Sequence, residues 1–192
     1  DLAGIMLEDS AEIQRADAEF ISKKRAKQNL PPVEPLYSAN DAEKAMRQFI
    51  ALNYDRPIPV ADGVTVTFRD AGHILGSAQV VLDIREEGRR FRYLFSGDIG
   101  RGQDDILRDP QPVEAVDYLQ IEGTYGGREH SAKSTANAEV GRLVRETLAR
   151  KGKVIIPAFS VGRTQQIVYT LHQLTLSGAL PEVPIFVDSP LS

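Results

Sequence analysis

Polar residues surrounded by small ones follow four apolar, strand-like runs of the sequence. They are His73 in "DAGHILGS", Asp98 in "FSGDIGR", Glu122 in "IEGTYGG" and Asp188 in "FVDSP". Strand ends that share one edge of a sheet converge, and small neighbours leave room for an ion or a substrate. An imidazole nitrogen and a carboxylate oxygen are ligands that zinc and manganese accept. His73 and Asp98 are therefore candidate metal ligands.

A purely structural interpretation competes with this chemistry at each position. His73 also fits a strand-end turn in which the imidazole bonds to the backbone. Asp98 also fits a turn or a helix cap, and Glu122 fits a salt-bridged strand end. Two ligands do not make a metal site, so residue types and positions alone leave the choice open.

The composition narrows the class of protein. The 192 residues are 42% apolar and 26% charged, which is typical of one globular domain or parts of two. No apolar run approaches the roughly 20 residues of a membrane span. With no cysteine, a metal here would be held by His, Asp and Glu. The net charge of −4 disfavours bulk, sequence-independent binding of nucleic acid but leaves a local basic groove open.

The first third of the chain has the pattern of two amphipathic helices. Residues 9–27 and the stretch "NDAEKAMRQFIAL" carry apolar side chains at helical spacing. The apolar face of the first helix would consist of Ile13, Ala16, Phe20 and Ile21. The second helix would have a buried face that consists of Ala45, Met46, Phe49 and Ile50.

The middle of the chain predicts a sheet, and the last third predicts alternating helices and strands. "GVTVTFRDAG", "SAQVVLDIREE", "RRFRYLFSGDIG" and "VDYLQIEG" read as strands, with a hairpin turn at Glu87-Gly88. A helix follows from Ser134. Then "KVIIPAF", "GRTQQIVYTLHQLTL" and "VPIFVDS" read as strand, helix and strand, which predicts a parallel βαβ unit.

Four stretches, in this order and at these intervals, carry a family resemblance: "DAGHILGSA", "FSGDIGR", "EGTYGGREH" and "IPAFSVGRTQQI". They resemble the β-CASP group of the metallo-β-lactamase fold nucleases. The resemblance implies an α/β fold in which residues 1–125 are part of a metallo-β-lactamase αββα domain. Residues 126–192 would then begin a Rossmann-like β-CASP domain.

The same resemblance implies roles for the candidate residues. His73 matches the third metal-binding motif, a ligand to one of two zinc ions, and Asp98 matches the fourth, an aspartate that bridges both. Glu122 matches the acidic residue that opens the β-CASP part and supports a histidine acting as proton donor to the leaving oxygen. The implied activity is zinc-dependent hydrolysis of RNA phosphodiester bonds.

Two groups of family histidines do not occur in this sequence. The H-x-H-x-D-H signature and the later β-CASP histidines have no counterpart, because His130 follows "TYGG" in a loop and His172 lies on the flank of a helix. The resemblance therefore implies that the chain is an internal segment of a longer protein, inactive as a nuclease by itself.

Arg163 is a candidate for binding substrate. It opens the helix predicted for "GRTQQIVYTL", where free amides, the helix dipole and a guanidinium would together suit a phosphate. The alternative is that Arg163 pairs with a carboxylate.

The leading hypothesis is thus a two-zinc ribonuclease with RNA as its partner, no membrane association, a homodimer as a candidate assembly and a cytoplasmic location. Two others stay open. One is a non-catalytic relative that binds RNA or a partner protein. The other is a metallo-hydrolase of small esters, against which the β-CASP-like stretch from Glu122 onward argues.

Overall fold

The described residues form a mixed α/β structure with four helices and a five-stranded sheet. The computed structural model describes residues 2–128, 133–159 and 161–189, and these form two compact units that divide after residue 51. The helices and strands, in chain order, are α1 (Leu2–Ala26), α2 (Ala39–Met46), β1 (Ile58–Ala61), β2 (Val64–Asp70), β3 (Ala78–Glu86), β4 (Arg89–Phe95), β5 (Tyr118–Gln120), α3 (Lys133–Ala149) and α4 (Arg163–Leu176).

The first unit is a pair of helices that pack through alanines. Ala11 and Ala18 of α1 and Ala42 of α2 are buried. The larger side chains that the sequence pattern placed on the helix faces are exposed: Ile13, Phe20 and Ile21 of α1, and Phe49 and Ile50 beyond the end of α2. The predicted burial of Phe49 and Ile50 is therefore wrong, because small side chains allow the two helices to approach closely on another side. The second helix also ends at Met46, earlier than its apolar pattern predicted.

The sheet of the second unit has the strand order β1-β2-β3-β4-β5. Its neighbouring strands are antiparallel except for the parallel pair β4 and β5. β2, β4 and β5 consequently run in the same direction, and their carboxyl ends lie at one edge of the sheet. The convergence of these three strand ends agrees with the expectation from the sequence.

The hairpin between β3 and β4 confirms the predicted turn. Glu86 and Arg89 are paired across it, and the two residues between them, Glu87 and Gly88, have φ values of 49° and 78°. Two successive left-handed residues form a type I′ turn, whose twist matches that of the strands. The strand β1 was not predicted, since it is only four residues long and contains Pro59, which is compatible with an edge strand.

The helices α3 and α4 pack on each other around a small apolar core. Val144, Leu171 and Leu180 are its buried members, and Ile167 and Leu174 pack against them. Ile167, Leu171 and Leu174 therefore form the apolar face of α4.

The two strands predicted on either side of α4 do not form within the described residues. Within the described residues 152–159 and 181–189, no segment joins a β-ladder, so the predicted parallel βαβ unit is wrong. Their apolar side chains are prominent on the surface, with Ile155 91% and Phe186 87% exposed. A strand needs a neighbouring backbone to bond with, and β-propensity alone does not form one.

Two further expectations concern the whole chain. The predicted domain boundary between residues 125 and 126 remains a prediction. The compact units divide after residue 51, but they are defined by contacts within the chain and do not test where a family domain begins. None of the helices in the described ranges has both the length and the apolar character that crossing a bilayer requires.

Candidate functional site

The candidate site lies at the sheet edge where β2, β4 and β5 end. His73 and Asp98 follow the ends of β2 and β4 by three residues each, and Glu122 follows β5 by two. The Nε2 atom of His73 lies 3.8 Å from Oδ2 of Asp98. Both side chains are accessible, with exposed fractions of 45% and 69%. The fold thus brings an imidazole and a carboxylate from separate loops together on an open surface.

The His73 loop is held by the hydroxyl of Ser77. The backbone N–H groups of His73 and Ile74 donate to Ser77 Oγ over 3.0 and 3.2 Å. The N–H of Ser77 in turn donates to the carbonyl of Ile74 over 3.0 Å. A turn closed in this way fixes the backbone of His73 while its side chain remains free to meet a ligand.

The end of β2, from which this loop departs, is fixed by two glutamines. The amide of the buried Gln79 donates to the carbonyl of Gln111 over 2.7 Å. The side-chain carbonyl of Gln111 accepts from the backbone N–H of Asp70 over 2.7 Å, and the backbone N–H of Gln111 donates to the backbone carbonyl of Asp70 over 2.9 Å. The last residue of β2 is therefore bonded on both backbone groups.

Two glycines allow the His73 and Asp98 loops to touch. Gly72 has a φ of 62°, and a Cβ added to it would lie 2.5 Å from the carbonyl oxygen of Arg108. A Cβ added to Gly100 would lie 1.8 Å from the carbonyl oxygen of Gly72. The N–H of Gly100 also donates to the carbonyl of Ala71 over 2.8 Å. Any side chain at Gly100 would force the two loops apart.

Glu122 holds the Asp98 loop from the other side. Its Oε1 accepts from the N–H of Ile99 over 2.7 Å, and its own N–H donates to the buried hydroxyl of Ser96 over 3.1 Å. The Ile99 N–H, followed by the hydroxyl of Thr124, holds the pKa of Glu122 below its ordinary value. Glu122 therefore remains a carboxylate near neutral pH, fixed against the residue that follows Asp98.

The pair His73 and Asp98 fits part of a zinc coordination shell. Two ligand atoms bound at about 2.0–2.1 Å to one tetrahedral ion lie about 3.4 Å apart, close to the separation found here. A nitrogen and an oxygen donor also suit zinc. The described residues contain no group of three or more His, Asp or Glu side chains placed to hold a metal. They thus offer two ligands of such a shell.

The start of α4 lies beside the His73 loop. A Cβ on Gly162, the residue before the helix, would lie 3.2 Å from Cγ2 of Ile74. Arg163 is exposed, and its Nη1 donates to Oε1 of Gln166 over 3.2 Å. In the part of the chain that the structure describes, Arg163 forms no ion pair with a carboxylate, so the structural alternative for this residue gains no support.

Three other residues considered in the sequence analysis lie elsewhere. Asp188 is exposed and follows no strand, because the strand predicted before it is absent. His172 is exposed on α4, as expected for a surface residue. His130 lies outside the described residues.

Several residues of the site were not identified from the sequence. Ser77, Ser96 and Gly100 fix its loops through hydrogen bonds and close backbone contact. The sequence does place small residues after several predicted strand ends. This pattern indicates tight loops but does not identify the contacts that those loops make.

No protein-family profile matches the chain. Individual proteins do match. Over 159 residues it is 37% identical to Ribonuclease TTHA0252 of Thermus thermophilus, a match that covers 83% of this chain and 35% of that protein. It is 34% identical over 158 residues to an RNase J-like protein of Methanocaldococcus jannaschii, covering 81% of the chain and 37% of the relative.

A third relative carries a different name. The Transcription termination factor FttA of Methanothermobacter thermautotrophicus is 31% identical over 159 residues, which cover 81% of this chain and 25% of that protein. The chain thus spans between 25% and 37% of the length of these curated relatives. Over most of its own length, the chain is therefore related in sequence to one segment of longer proteins named as ribonuclease, RNase J-like protein and termination factor.

Proposed function

We propose that the chain belongs to the β-CASP group of the metallo-β-lactamase fold nucleases, and that the complete product of its gene hydrolyses RNA phosphodiester bonds with two zinc ions. The observation that carries this proposal is the meeting of His73 and Asp98 at one sheet edge, 3.8 Å apart, with Glu122 bonded to the Asp98 loop. The ribonuclease names of two relatives support the same activity.

In this proposal His73 and Asp98 are metal ligands. Bound zinc would supply an activated water and stabilise negative charge at phosphorus. The exposed position of both side chains leaves room for a phosphodiester to approach. The hydrogen bonds of Ser77 and Glu122 hold the backbones of the two loops, so that the ligands need little rearrangement on binding.

Glu122 would act as a fixed anion. Since its pKa is held below the ordinary value, it stays ionised and does not itself donate a proton near neutral pH. A carboxylate of this kind can orient a protonated histidine that protonates the leaving oxygen, which is the role that the family resemblance implies.

Arg163 would bind a phosphate of the RNA backbone. Its guanidinium lies at the start of α4, where Gly162 has no side chain to cap the helix amides and the dipole favours an anion. RNA as substrate, a cytoplasmic location and a homodimer as candidate assembly belong to this same proposal.

The test is the substitution Asp98→Ala in the complete gene product. RNA cleavage should fall to background and the zinc content should drop, because Asp98 would be a metal ligand in this proposal. Asp62→Ala is the matched control: it removes an exposed carboxylate just before β2, at the opposite end of the strand from His73, and should change neither property.

The outcomes separate the competing functions. Cleavage by Asp98→Ala at the wild-type rate would refute the assigned site. A wild-type product that binds RNA without cutting it would favour the non-catalytic relative. Hydrolysis of a small ester with no action on RNA would favour the third hypothesis.

A further inference from the structure

Gln166 connects two parts of the second unit that are distant in sequence. It lies in the first turn of α4, and its Nε2 donates to Oδ2 of Asp104, 62 positions earlier in the loop that follows β4. Its Oε1 accepts from the Arg163 guanidinium over 3.2 Å. One amide thus links Arg163 to a carboxylate on the loop that also carries Asp98.

Asp104 is a fixed anchor for this link. Its Oδ1 accepts from the N–H groups of Ile106 and Leu107 over 2.9 and 3.1 Å. The carboxylate is therefore oriented by its own loop, with Oδ2 directed to Gln166.

The chemistry of the groups sets the direction of both hydrogen bonds. An ionised carboxylate only accepts, so the NH₂ group of Gln166 must face Asp104. The amide oxygen then has to face the opposite way, where it meets a guanidinium that only donates. Of the two orientations of the Gln166 amide, this is the one that places a donor against the carboxylate of Asp104 and an acceptor against the guanidinium of Arg163.

We propose that Gln166 is a positioning residue that holds the Arg163 guanidinium ready for an RNA phosphate, an inference that rests on the substrate role proposed for Arg163. A free arginine side chain has many rotamers and loses that freedom when it binds. A guanidinium already held by an amide loses less, so RNA binds more tightly.

The reference for the test is Arg163→Ala, measured by anisotropy of a labelled single-stranded RNA in EDTA, so that no cleavage accompanies binding. We expect binding about five- to thirtyfold weaker and a salt slope shallower by about 0.7, since one phosphate contact is lost. Zinc content, determined separately without chelator, should stay unchanged because no metal ligand is altered.

Gln166→Leu tests the positioning role. It keeps the charge of Arg163 but removes its acceptor, so binding should weaken about two- to tenfold, the effect of losing the pre-ordering of one long side chain. The salt slope should stay at the wild-type value because the phosphate contact still forms. Gln165→Leu, an exposed glutamine in the same helical turn, is the matched control and should bind as wild type.

Asp104→Asn is a second test of the positioning role, and it keeps the volume of the side chain at position 104. Its Oδ1 can still accept from Ile106 and Leu107, but its NH₂ group would face Gln166. The glutamine amide must then turn round, which places its own NH₂ against Arg163. We expect the same loss of affinity as in Gln166→Leu.

Three results would overturn the proposal, and they can be told apart. If Arg163→Ala binds with unchanged affinity and slope, the substrate role of Arg163 fails and this inference fails with it. If only Arg163→Ala weakens binding, the substrate role stands and the positioning role is refuted. If Gln166→Leu weakens binding equally in the Arg163→Ala background, its effect does not pass through Arg163.

Discussion

Gly100, which has no side chain, allows the loops of the candidate ligands His73 and Asp98 to approach each other closely. Gly100 rests on the carbonyl of Gly72, and this contact joins the loop of Asp98 to the loop of His73. Neither glycine could carry out chemistry. Their role is to let two backbones come within hydrogen-bond distance, so that side chains from different strands reach the same point.

The substitution Gly100→Ala, which adds a single carbon atom, tests whether the two loops depend on this close contact. Because the new Cβ would lie 1.8 Å from the Gly72 oxygen, the loops must separate. We expect the free energy of unfolding in urea to fall by about 1–3 kcal/mol, as for other overpacked sites, and the zinc affinity of the complete gene product to drop.

The control for this prediction is Gly4→Ala in α1, where the nearest atom to an added Cβ is on Met46 at 3.6 Å. It should keep wild-type stability or exceed it, since alanine favours helix. A Gly100→Ala variant with wild-type stability and zinc affinity would show that the loops do not depend on this contact.

Individual residues differ in how readily their role can be identified from the sequence. His73, Asp98 and Glu122 could be selected because each follows an apolar alternating run, and strand ends converge. Ser96 and Gln166 could not, because their importance lies in hydrogen bonds to residues 26 and 62 positions away. Such bonds depend on loop conformations that no local pattern encodes.

At the scale of elements, periodicity predicted the sheet and helices better than it predicted isolated strands. The runs that became β2, β3 and β4 have partners on both sides, so their pattern and their pairing agree. The runs around "KVIIPAF" and "VPIFVDS" have the same β-forming composition but form no ladder within the described residues. Strand formation depends on a partner, whereas a helix such as α4 satisfies its own backbone.

The β3–β4 hairpin allows a prediction about its turn. Glu87 holds a φ of 49°, which is unfavourable for glutamate, and Asn-Gly is the preferred pair in a type I′ turn. Glu87→Asn should therefore raise the free energy of unfolding by up to about 1 kcal/mol in a urea titration followed by circular dichroism.

Gly88→Ala is the opposing variant. Among the described residues an added Cβ would meet no atom within 4 Å, so the unfavourable feature is the φ of 78°, and stability should fall by about 1–2 kcal/mol. Equal stability of the two variants would contradict a type I′ turn at this position.

At the scale of the whole molecule, the chain supplies only part of the proposed chemistry. A zinc site needs at least three protein ligands, and the proposal assigns two residues of this chain to that role, His73 and Asp98. We expect a purified chain of residues 1–192, verified by mass and circular dichroism, to hydrolyse no RNA with added zinc. Metal-dependent turnover by the chain alone would place the catalytic residues elsewhere on it.

The exposed apolar segments on either side of α4 affect how a sample of the isolated chain would behave in the laboratory. Ile155, Phe159 and Phe186 expose 86–91% of their surface, in stretches with little charge and high β-propensity. Segments of this composition readily associate between molecules. A concentrated solution of the isolated chain would therefore tend towards turbidity and precipitation, and protein concentration becomes a variable that every assay on it has to control.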